Sequence, residues 1–284
     1  MQKTFLGMGL LGSNWVRGMR KRGEAVNVWN RTTSRAKALE ETGAVAFESA
    51  ADAVKGAKRI HICVSDDAAV NSIIAQIESS LDSDAIIIDH TTTTAHGAKE
   101  RSEQLKAKGI TYIHAPVFMG PTNALEGTGM MLVCGDQSVV AKIEPDLKLM
   151  TGTLDNVGEK LTEAAAYKLL GNHMFLAISS ALTDSYNLGK AMDLSVSDIT
   201  DFIEQMSSAP MKARIARLMM RNYDTPTWEL LMARKDARLM VEEAERAGKS
   251  LMVMPSLGKV MDAHIANGEG SKDWTIFAKE AISE

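Results

Sequence analysis

The sequence predicts an α/β fold: a Rossmann-type doubly wound sheet at the N-terminus, an all-α C-terminal domain, and a long interdomain helix that joins them. Three observations support this. Short apolar runs alternate with helical segments through the first half of the 284 residues, as in parallel sheets covered by helices on both faces. A glycine-rich turn follows the first apolar run. Only helical periodicity continues after that half, so the predicted domains are 1–158 and 159–284.

The predicted strands are continuous and rich in β-branched residues, which is typical of strands buried on both faces. They lie at 4–6, 25–29, 59–64, 85–89 and 110–117, and a further run at 129–135 is expected to complete the domain. The helices between them are predicted at 12–22, from the turn after residue 29 to residue 41, and at 66–79, 95–107 and 136–149. The stretch HAPVFMGPTNALEG, residues 114–127, is predicted to end a strand and continue as a turn-rich loop.

The second half begins with one long helical pattern from Glu159 to Met192. At 1.5 Å per residue it would be about 50 Å long, and apolar residues nearly encircle it. A helix of this kind usually joins two domains or lies in a subunit interface, so a homodimer or larger homo-oligomer is expected. Further helices are predicted at 195–205, 211–221, 228–247, 256–266 and 273–283.

The composition limits the classes of function. A net charge of −4 gives no reason to expect a nucleic-acid or membrane partner, and the basic run from Lys212 to Arg221 is more simply a solvated helix face. Because a strand is predicted to start by Lys3, no leader is expected before it. No uncharged apolar run reaches the roughly 18 residues of a membrane span. Cys63 and Cys134 form no CxxC pattern, and the histidines show no metal-ligand spacing. A cytoplasmic protein without a metal, acting on a small-molecule substrate, fits these features.

A dinucleotide-binding motif begins directly after the first strand. Residues 7–12 follow the G-x-G-x-x-G pattern, with a strand before it and a helix after it. Gly7 permits the tight turn, Gly9 lets the backbone approach a pyrophosphate, and Gly12 allows close packing of helix and strand. A glycine turn without a ligand is the alternative. The predicted cofactor-binding residues here are Gly7, Met8, Gly9, Leu10, Leu11 and Gly12.

The end of the second strand indicates which cofactor is bound. An NAD site would place an Asp or Glu about 20 residues past the glycines to hold the ribose 2′-hydroxyl, but Asn30-Arg31-Thr32 stands here. Arg31 can pair with a 2′-phosphate, and Asn30 and Thr32 can hydrogen-bond to it. NADP(H) is therefore the predicted cofactor. The alternative is that Arg31 is a solvated turn residue.

A candidate catalytic pair lies on the long helix. Lys168 and Asn172 are four residues apart and share one face among apolar neighbours such as Leu169. A lysine in such surroundings is costly unless it is paired or used, and desolvation suits a lysine to donate protons near neutral pH. Asn172 could then orient a substrate oxygen. A lysine that extends its amine into water explains the spacing equally well.

Several separated motifs occur in a fixed order. They are GMGLLG at 7–12, DHTTTTA at 89–95, HAPVFMGPTNALEGT at 114–128, AAAYKLLGN at 164–172, and Lys235-Asp236. Together they resemble the β-hydroxyacid dehydrogenase family, which includes 3-hydroxyisobutyrate, tartronate semialdehyde and succinic semialdehyde reductases and is similar to 6-phosphogluconate dehydrogenases. The two-domain plan of that family is similar to this chain over its whole length.

The resemblance implies roles for individual residues. Lys168 would be the general acid that protonates the carbonyl oxygen while NADPH delivers hydride, and Asn172 would assist in substrate binding. Thr92 would lie near the nicotinamide, and Lys235 would line the cleft beside the cofactor. The further cofactor-binding residues implied are Val64, Ser65, Thr92 and Lys235. The substrate-binding residues implied are Thr92, Val117, Phe118, Met119, Gly120, Asn172, Lys235 and Asp236.

The loop at 114–127 departs from the family pattern at three positions. His114 replaces an Asp, Phe118 replaces a Ser, and Met119 replaces a Gly. The last two positions normally give hydrogen-bond donors to a substrate carboxylate. A more apolar substrate is therefore expected, unless backbone N–H groups of residues 118–120 still bind a carboxylate.

The predicted function is an NADPH-dependent oxidoreductase that transfers hydride between NADP(H) and a small aldehyde, keto or hydroxy-acid-type substrate, with Lys168 as general acid/base. An imine reductase or reductive aminase with an apolar pocket is a second interpretation, because such enzymes resemble this family in fold and cofactor. A non-catalytic NADP-binding interaction module is a third, and the presence of Lys168 argues against it.

Overall fold

The first part of the chain is built on a six-stranded parallel sheet. The structure, a computed structural model, describes residues 1–206 and 208–283. The strands are β1 (Lys3–Leu6), β2 (Val26–Trp29), β3 (Val45–Ala46), β4 (Arg59–Ile62), β5 (Ile86–Asp89) and β6 (Thr111–His114). They are ordered β3-β2-β1-β4-β5-β6, and every neighbouring pair is parallel. The order reverses between β1 and β4, and ligands of such sheets bind outside the carboxyl ends of the strands at this switch point.

Helices cover both faces of this sheet. They are α1 (Leu10–Lys21), α2 (Thr33–Lys37), α3 (Ala50–Ala53), α4 (Asp67–Ile77) and α5 (Ala95–Ala107). Phe5 packs with Trp15 of α1 in one core, whereas the next residue, Leu6, packs with Val70 of α4 in the other. Successive side chains of a strand point to opposite faces, so both faces of these strands must be apolar. The short elements β3 and α3 were not predicted from the sequence.

The run at 129–135 forms a strand of the first unit, as predicted, but this strand belongs to a second sheet. A second sheet contains β7 (Val117–Phe118), β8 (Met130–Val133) and β9 (Thr153–Asn156), in the order β7-β8-β9. The predicted strand 110–117 is likewise divided, because Pro116 has no N–H to continue the ladder of β6. The loop after it contains a helix, α6 (Pro121–Glu126), and α7 (Gln137–Lys148) connects β8 to β9.

The contacts divide the chain into two compact units, Met1–Lys168 and Leu169–Glu284. The long helix α8 (Glu163–Ala191) passes from one unit into the other. The second unit continues with α9 (Val196–Met206), α10 (Ala209–Met219), α11 (Leu230–Arg246) and α12 (Met254–Ala266). Its core includes Tyr186, Leu239 and Trp274. Ser207 and Glu284 of the predicted second domain lie outside the described residues.

The predicted helix at 273–283 is wrong. The segment forms a short 3₁₀ helix at Trp274–Ala278, and all five of its residues are buried. The Asp273 carboxylate accepts hydrogen bonds from the backbone N–H and the hydroxyl of Thr275, which begin this tight turn. The predicted fold class as a whole is confirmed: a parallel Rossmann-type sheet is followed by a helical C-terminal region. In residues 1–206 and 208–283, no helix is both long and apolar enough to cross a membrane.

Candidate active site

Each glycine of the motif at 7–12 occupies a different steric environment. Gly7 has a φ of +108°, and a Cβ there would lie 2.1 Å from the Cys63 carbonyl oxygen. A Cβ on Gly12 would lie 1.9 Å from the Gly7 carbonyl oxygen, so the helix packs directly on the turn. A Cβ on Gly9 would meet no atom within 4 Å. Gly7 and Gly12 are therefore needed by the fold, whereas Gly9 borders open space.

The segment after β2 is tied to this glycine turn by a side chain. Asn30 Oδ1 accepts a hydrogen bond of 2.9 Å from the Met8 N–H, and its Nδ2 donates to the Thr32 carbonyl at 3.0 Å. Arg31 and Thr32 are exposed beside it. Asn30 therefore fixes the relative positions of two loops at the carboxyl ends of β1 and β2. That contact joins residues 22 positions apart, and no local sequence pattern indicates it.

The threonine segment after β5 is held against the end of β4. Thr91 Oγ1 accepts a hydrogen bond of 3.1 Å from the Val64 N–H, which joins the two candidate cofactor segments. Beneath it, the buried Asp89 carboxylate accepts from the Thr91 N–H at 2.9 Å and from the Tyr112 hydroxyl at 2.7 Å. Thr92 lies half-buried in this braced segment.

A buried histidine pair supports the same region, and no motif in the sequence indicated it. His61 Nδ1 lies 3.0 Å from His90 Nε2, and His90 Nδ1 lies 2.8 Å from the Ala115 carbonyl oxygen. Because a carbonyl only accepts, His90 donates through Nδ1 and must accept through Nε2 from His61. Burial lowers the pKa of His90 to about 4 and holds the pKa of His61 well below its ordinary value. Both rings are therefore neutral at physiological pH.

His114 is also buried rather than exposed at the start of the loop. Its Nε2 donates to the Thr91 carbonyl oxygen at 2.9 Å, and burial lowers the pKa of its ring. The family pattern has an Asp here, but in this chain the neutral imidazole makes the link between β6 and the threonine segment. His114 thus belongs to the scaffold beneath the site.

The substrate loop is ordered by two short elements. Val117 is buried in β7, and Gly120 precedes α6, where its N–H donates to Asn123 Oδ1 at 2.9 Å. Helix α6 packs tightly on α1, since a Cβ on Gly18 would lie 2.6 Å from the Leu125 carbonyl oxygen. The Gly120 N–H is therefore engaged within the loop, which weakens the expectation that it binds a substrate carboxylate.

The two bulky apolar residues of the loop make different contacts. Met119 packs against the core between the sheet and α1, and the missing side chain of Gly129 makes room for it. Phe118 packs against a separate cluster formed by Leu132, Cys134 and Ala164. The Phe118 ring centroid lies 4.2 Å from Lys168 Nζ. Phe118, unlike Met119, is thus next to the candidate proton donor.

Lys168 is 8% exposed, so this lysine on α8 is buried and does not extend freely into water. In the second unit, Asn172 Nδ2 donates to Asp236 Oδ2 at 2.6 Å. Lys235 Nζ forms an ion pair with Asp236 Oδ1 at 2.5 Å. Asp236 is buried, and its carboxylate contacts both the Asn172 amide and the Lys235 ammonium.

Residues 2–158 match a family model described as the NAD binding domain of 6-phosphogluconate dehydrogenase. The chain belongs to this family. The matched range contains the glycine turn, the threonine segment and the substrate loop, and it ends before Lys168.

Relatives of this NAD-binding family extend the likeness over the whole chain. Glyoxylate/succinic semialdehyde reductase 1 of Arabidopsis thaliana is 24% identical over 280 residues, which cover 97% of this chain and 96% of the relative. The structure of 3-hydroxyisobutyrate dehydrogenase from Mycobacterium tuberculosis, with L-serine, matches with a TM-score of 0.84 at 18% identity and covers 99% of both chains. An imine reductase from Myxococcus stipitatus, in complex with NADP+, matches with a TM-score of 0.67 at 19% identity, covering 98% of this chain and 99% of that chain. The predicted resemblance to β-hydroxyacid dehydrogenases, with imine reductases as neighbours in fold, is confirmed.

The residues of this NAD-binding domain fit a dinucleotide. Helix α1 begins after Gly9, which has no side chain to cap the first-turn N–H groups, and the first turn carries no acidic residue. The N-terminus of such a helix favours an anion, and the space beside Gly9 is open. In the described ranges 1–206 and 208–283, no group of three His, Cys, Asp or Glu residues could hold a metal ion.

Proposed function

We propose that the protein is an NADPH-dependent oxidoreductase that reduces a small aldehyde or keto compound and oxidises the corresponding hydroxy compound, with Lys168 as general acid/base. The observation that carries this proposal is the position of Lys168, which is buried on α8 with its Nζ 4.2 Å from the ring of Phe118 in the substrate loop. The name of the Arabidopsis reductase supports the substrate class. The catalytic residues proposed are Lys168 and Asn172.

The proposed chemistry divides between the cofactor and the protein. Bound NADPH supplies the hydride to the carbonyl carbon. Lys168 Nζ donates a proton to the carbonyl oxygen as negative charge develops there, and it accepts the proton in the oxidation direction. Asn172, whose amide donates to Asp236, is proposed to assist in substrate binding. The further substrate-binding residues proposed are Thr92, Val117 and Phe118 in the first unit and Lys235 in the second. Val64 and Ser65 are proposed to bind the cofactor.

The proposed preference for NADPH rests on the end of β2. Arg31 is exposed next to the Asn30 contact that holds the glycine turn, and no acidic residue stands at 30–32. A guanidinium pairs well with a 2′-phosphate, whereas a carboxylate would repel it. NADP+ in the Myxococcus imine reductase is consistent with this choice.

One assay tests the reaction class. Purified protein is offered glyoxylate, succinic semialdehyde and a panel of cyclic imines, each with NADPH and with NADH. We expect the parent protein to turn over an aldehyde with NADPH. Lys168→Ala should lose at least about 100-fold in kcat but bind NADPH as tightly as the parent protein. Lys160→Ala, at an exposed lysine before α8, is the matched control and should keep full activity. Turnover retained by Lys168→Ala would contradict the proposed role of Lys168.

Imine reduction is the second candidate function, and the Phe118 ring beside Lys168 is the observation that favours it. An apolar ring at this place suits a substrate that lacks a carboxylate. Activity on cyclic imines alone in the same assay would show that the protein is an imine reductase. NADPH binding without turnover of any compound would instead support the non-catalytic interaction module.

Helix α8 supports the proposed homodimer. Leu170, Met174 and Leu188 are 60%, 54% and 62% exposed and share one face over about 27 Å of helix. An exposed apolar stripe of this length marks an interaction surface, and a second copy of the chain is the simplest partner. Light scattering should give a dimer mass or larger, and Leu170→Glu with Leu188→Glu should give monomers. A monomeric parent protein would contradict this.

A further inference from the structure

We infer that Phe118 is a positioning residue for Lys168: its ring face holds the ammonium in place without taking its proton. The inference rests on the proposed role of Lys168 as proton donor. It assigns to Phe118 a part in proton transfer that is distinct from lining a substrate pocket.

The geometry is that of a cation–π contact. Lys168 Nζ lies 4.2 Å from the centroid of the Phe118 ring, well inside the roughly 6 Å over which a ring quadrupole attracts a cation. Lys168 is 8% exposed and Phe118 is half-buried, so water competes little for the ammonium. Such contacts are stronger when the cation is desolvated.

The ring is held by the same cluster that fixes the helix. Phe118 lies in β7 opposite Met130 of β8, and its side chain packs on Leu132 and Cys134. Ala164, one turn before Lys168 on α8, is fully buried in this cluster. Strand and helix therefore place the ring and the amine relative to each other through one packed interface.

An aromatic ring suits this task chemically. A carboxylate or hydroxyl beside Lys168 would accept a hydrogen bond from the ammonium and compete with the substrate oxygen. The ring has no basic lone pair, so it attracts the charged amine without taking its proton.

Three titratable groups lie in the cluster or on the helix that carries Lys168. Cys134 lies in the cluster beneath the ring, and burial raises the pKa of its thiol, which keeps it neutral around neutral pH. Glu163, one turn earlier on α8, is the charged group that acts on Cys134. Tyr167 on the same helix is exposed. A variant that keeps the ring is therefore needed to separate the effect of the ring from that of its surroundings.

The test compares the pH dependence of kcat/KM for reduction in the parent protein and in Phe118→Leu, Phe118→Tyr and Leu154→Met. It uses whichever substrate of the aldehyde and imine panel is turned over. Loss of the ring face favours the neutral amine. We expect the alkaline midpoint to move down by about 0.4–1.5 pH units in Phe118→Leu. Phe118→Tyr keeps the ring and should keep the parental midpoint. Leu154→Met changes a half-buried residue of β9 that packs on the other core, and it should leave the midpoint unchanged.

Failure of the inference about Phe118 can be distinguished from failure of the proposed function. An unchanged midpoint in Phe118→Leu, with circular dichroism showing a folded protein, would overturn the inference while leaving the function of Lys168 intact. An equal shift in the Leu and Tyr variants would overturn it as well, because packing rather than the ring face would then be responsible. Turnover in Lys168→Ala would show instead that the proposed function fails.

Discussion

The buried pair His61 and His90 predicts that the protein loses stability in mild acid. The unfolded chain binds protons at these rings below a pKa of about 6.5, whereas burial keeps the pKa of His90 at about 4 in the folded state. The stabilisation is therefore complete above pH 6.5 and is lost as the pH falls from 6.5 towards 4.

The size of the loss can be worked out for His90. Between pH 7.5 and pH 5, a shift from 6.5 to about 4 lowers the free energy of unfolding by about 2 kcal/mol. His61 acts in the same direction, since burial and the neighbouring His90 lower its pKa as well. This is a large fraction of the roughly 5–15 kcal/mol that stabilises a typical domain. Carboxylates titrate mostly below this window, so histidines dominate it.

Urea unfolding followed by circular dichroism at pH 7.5, 6.5, 5.5 and 5.0 measures the effect. The midpoint should fall steadily below pH 6.5 at a constant m-value. His90→Asn removes one titrating ring and should flatten the curve. A free energy of unfolding that is flat from pH 7.5 to 5, or a slope unaffected by His90→Asn, would refute the reasoning.

Two further pairs of variants separate folding from cofactor binding. Gly12→Ala should destabilise the protein by about 1–3 kcal/mol, because its Cβ would collide with a backbone oxygen. Gly9→Ala should fold normally but raise the KM for NADPH, because its Cβ enters the open space where the pyrophosphate is expected. Thermal unfolding and cofactor titration check both, and normal binding by Gly9→Ala would contradict the placement of the pyrophosphate. Arg31→Ala should reduce the preference for NADPH over NADH about 10-fold or more, whereas Asn30→Ala should weaken both cofactors similarly because it loosens the glycine turn. If Arg31→Ala and Asn30→Ala changed the ratio of kcat/KM with NADPH to kcat/KM with NADH equally, these separate roles of Arg31 and Asn30 would be contradicted.

The sheet was predictable because its signal is local. Each buried strand is a short apolar run, and the G-x-G-x-x-G motif places the first crossover. Helix α6 was missed although it carries recognisable boundary signals, Pro121 at its start and Gly127 with a φ of +68° at its end. The turn-like composition between them concealed those signals.

The second sheet and the supports of the site were not predictable in the same way. The apolar run 110–117 looks continuous, and Pro116, which has no N–H, stands where the chain changes sheets. His61 and His90 are 29 residues apart, and Phe118 and Lys168 are 50 apart, so each pair is brought together by packing alone. The candidate residues are readable from motifs, but their partners depend on the tertiary structure.

The contacts of Met119 change how the apolar loop bears on substrate choice. When only the sequence is considered, Phe118 and Met119 together suggest an apolar substrate pocket. Met119 packs into the core and is accommodated by Gly129, so its apolar character is explained by stability. Only Phe118 remains next to Lys168, and one ring there serves a charged amine as well as an apolar substrate. The loop therefore supports imine reduction less than its composition suggests, and a carbonyl substrate remains compatible with both bulky residues.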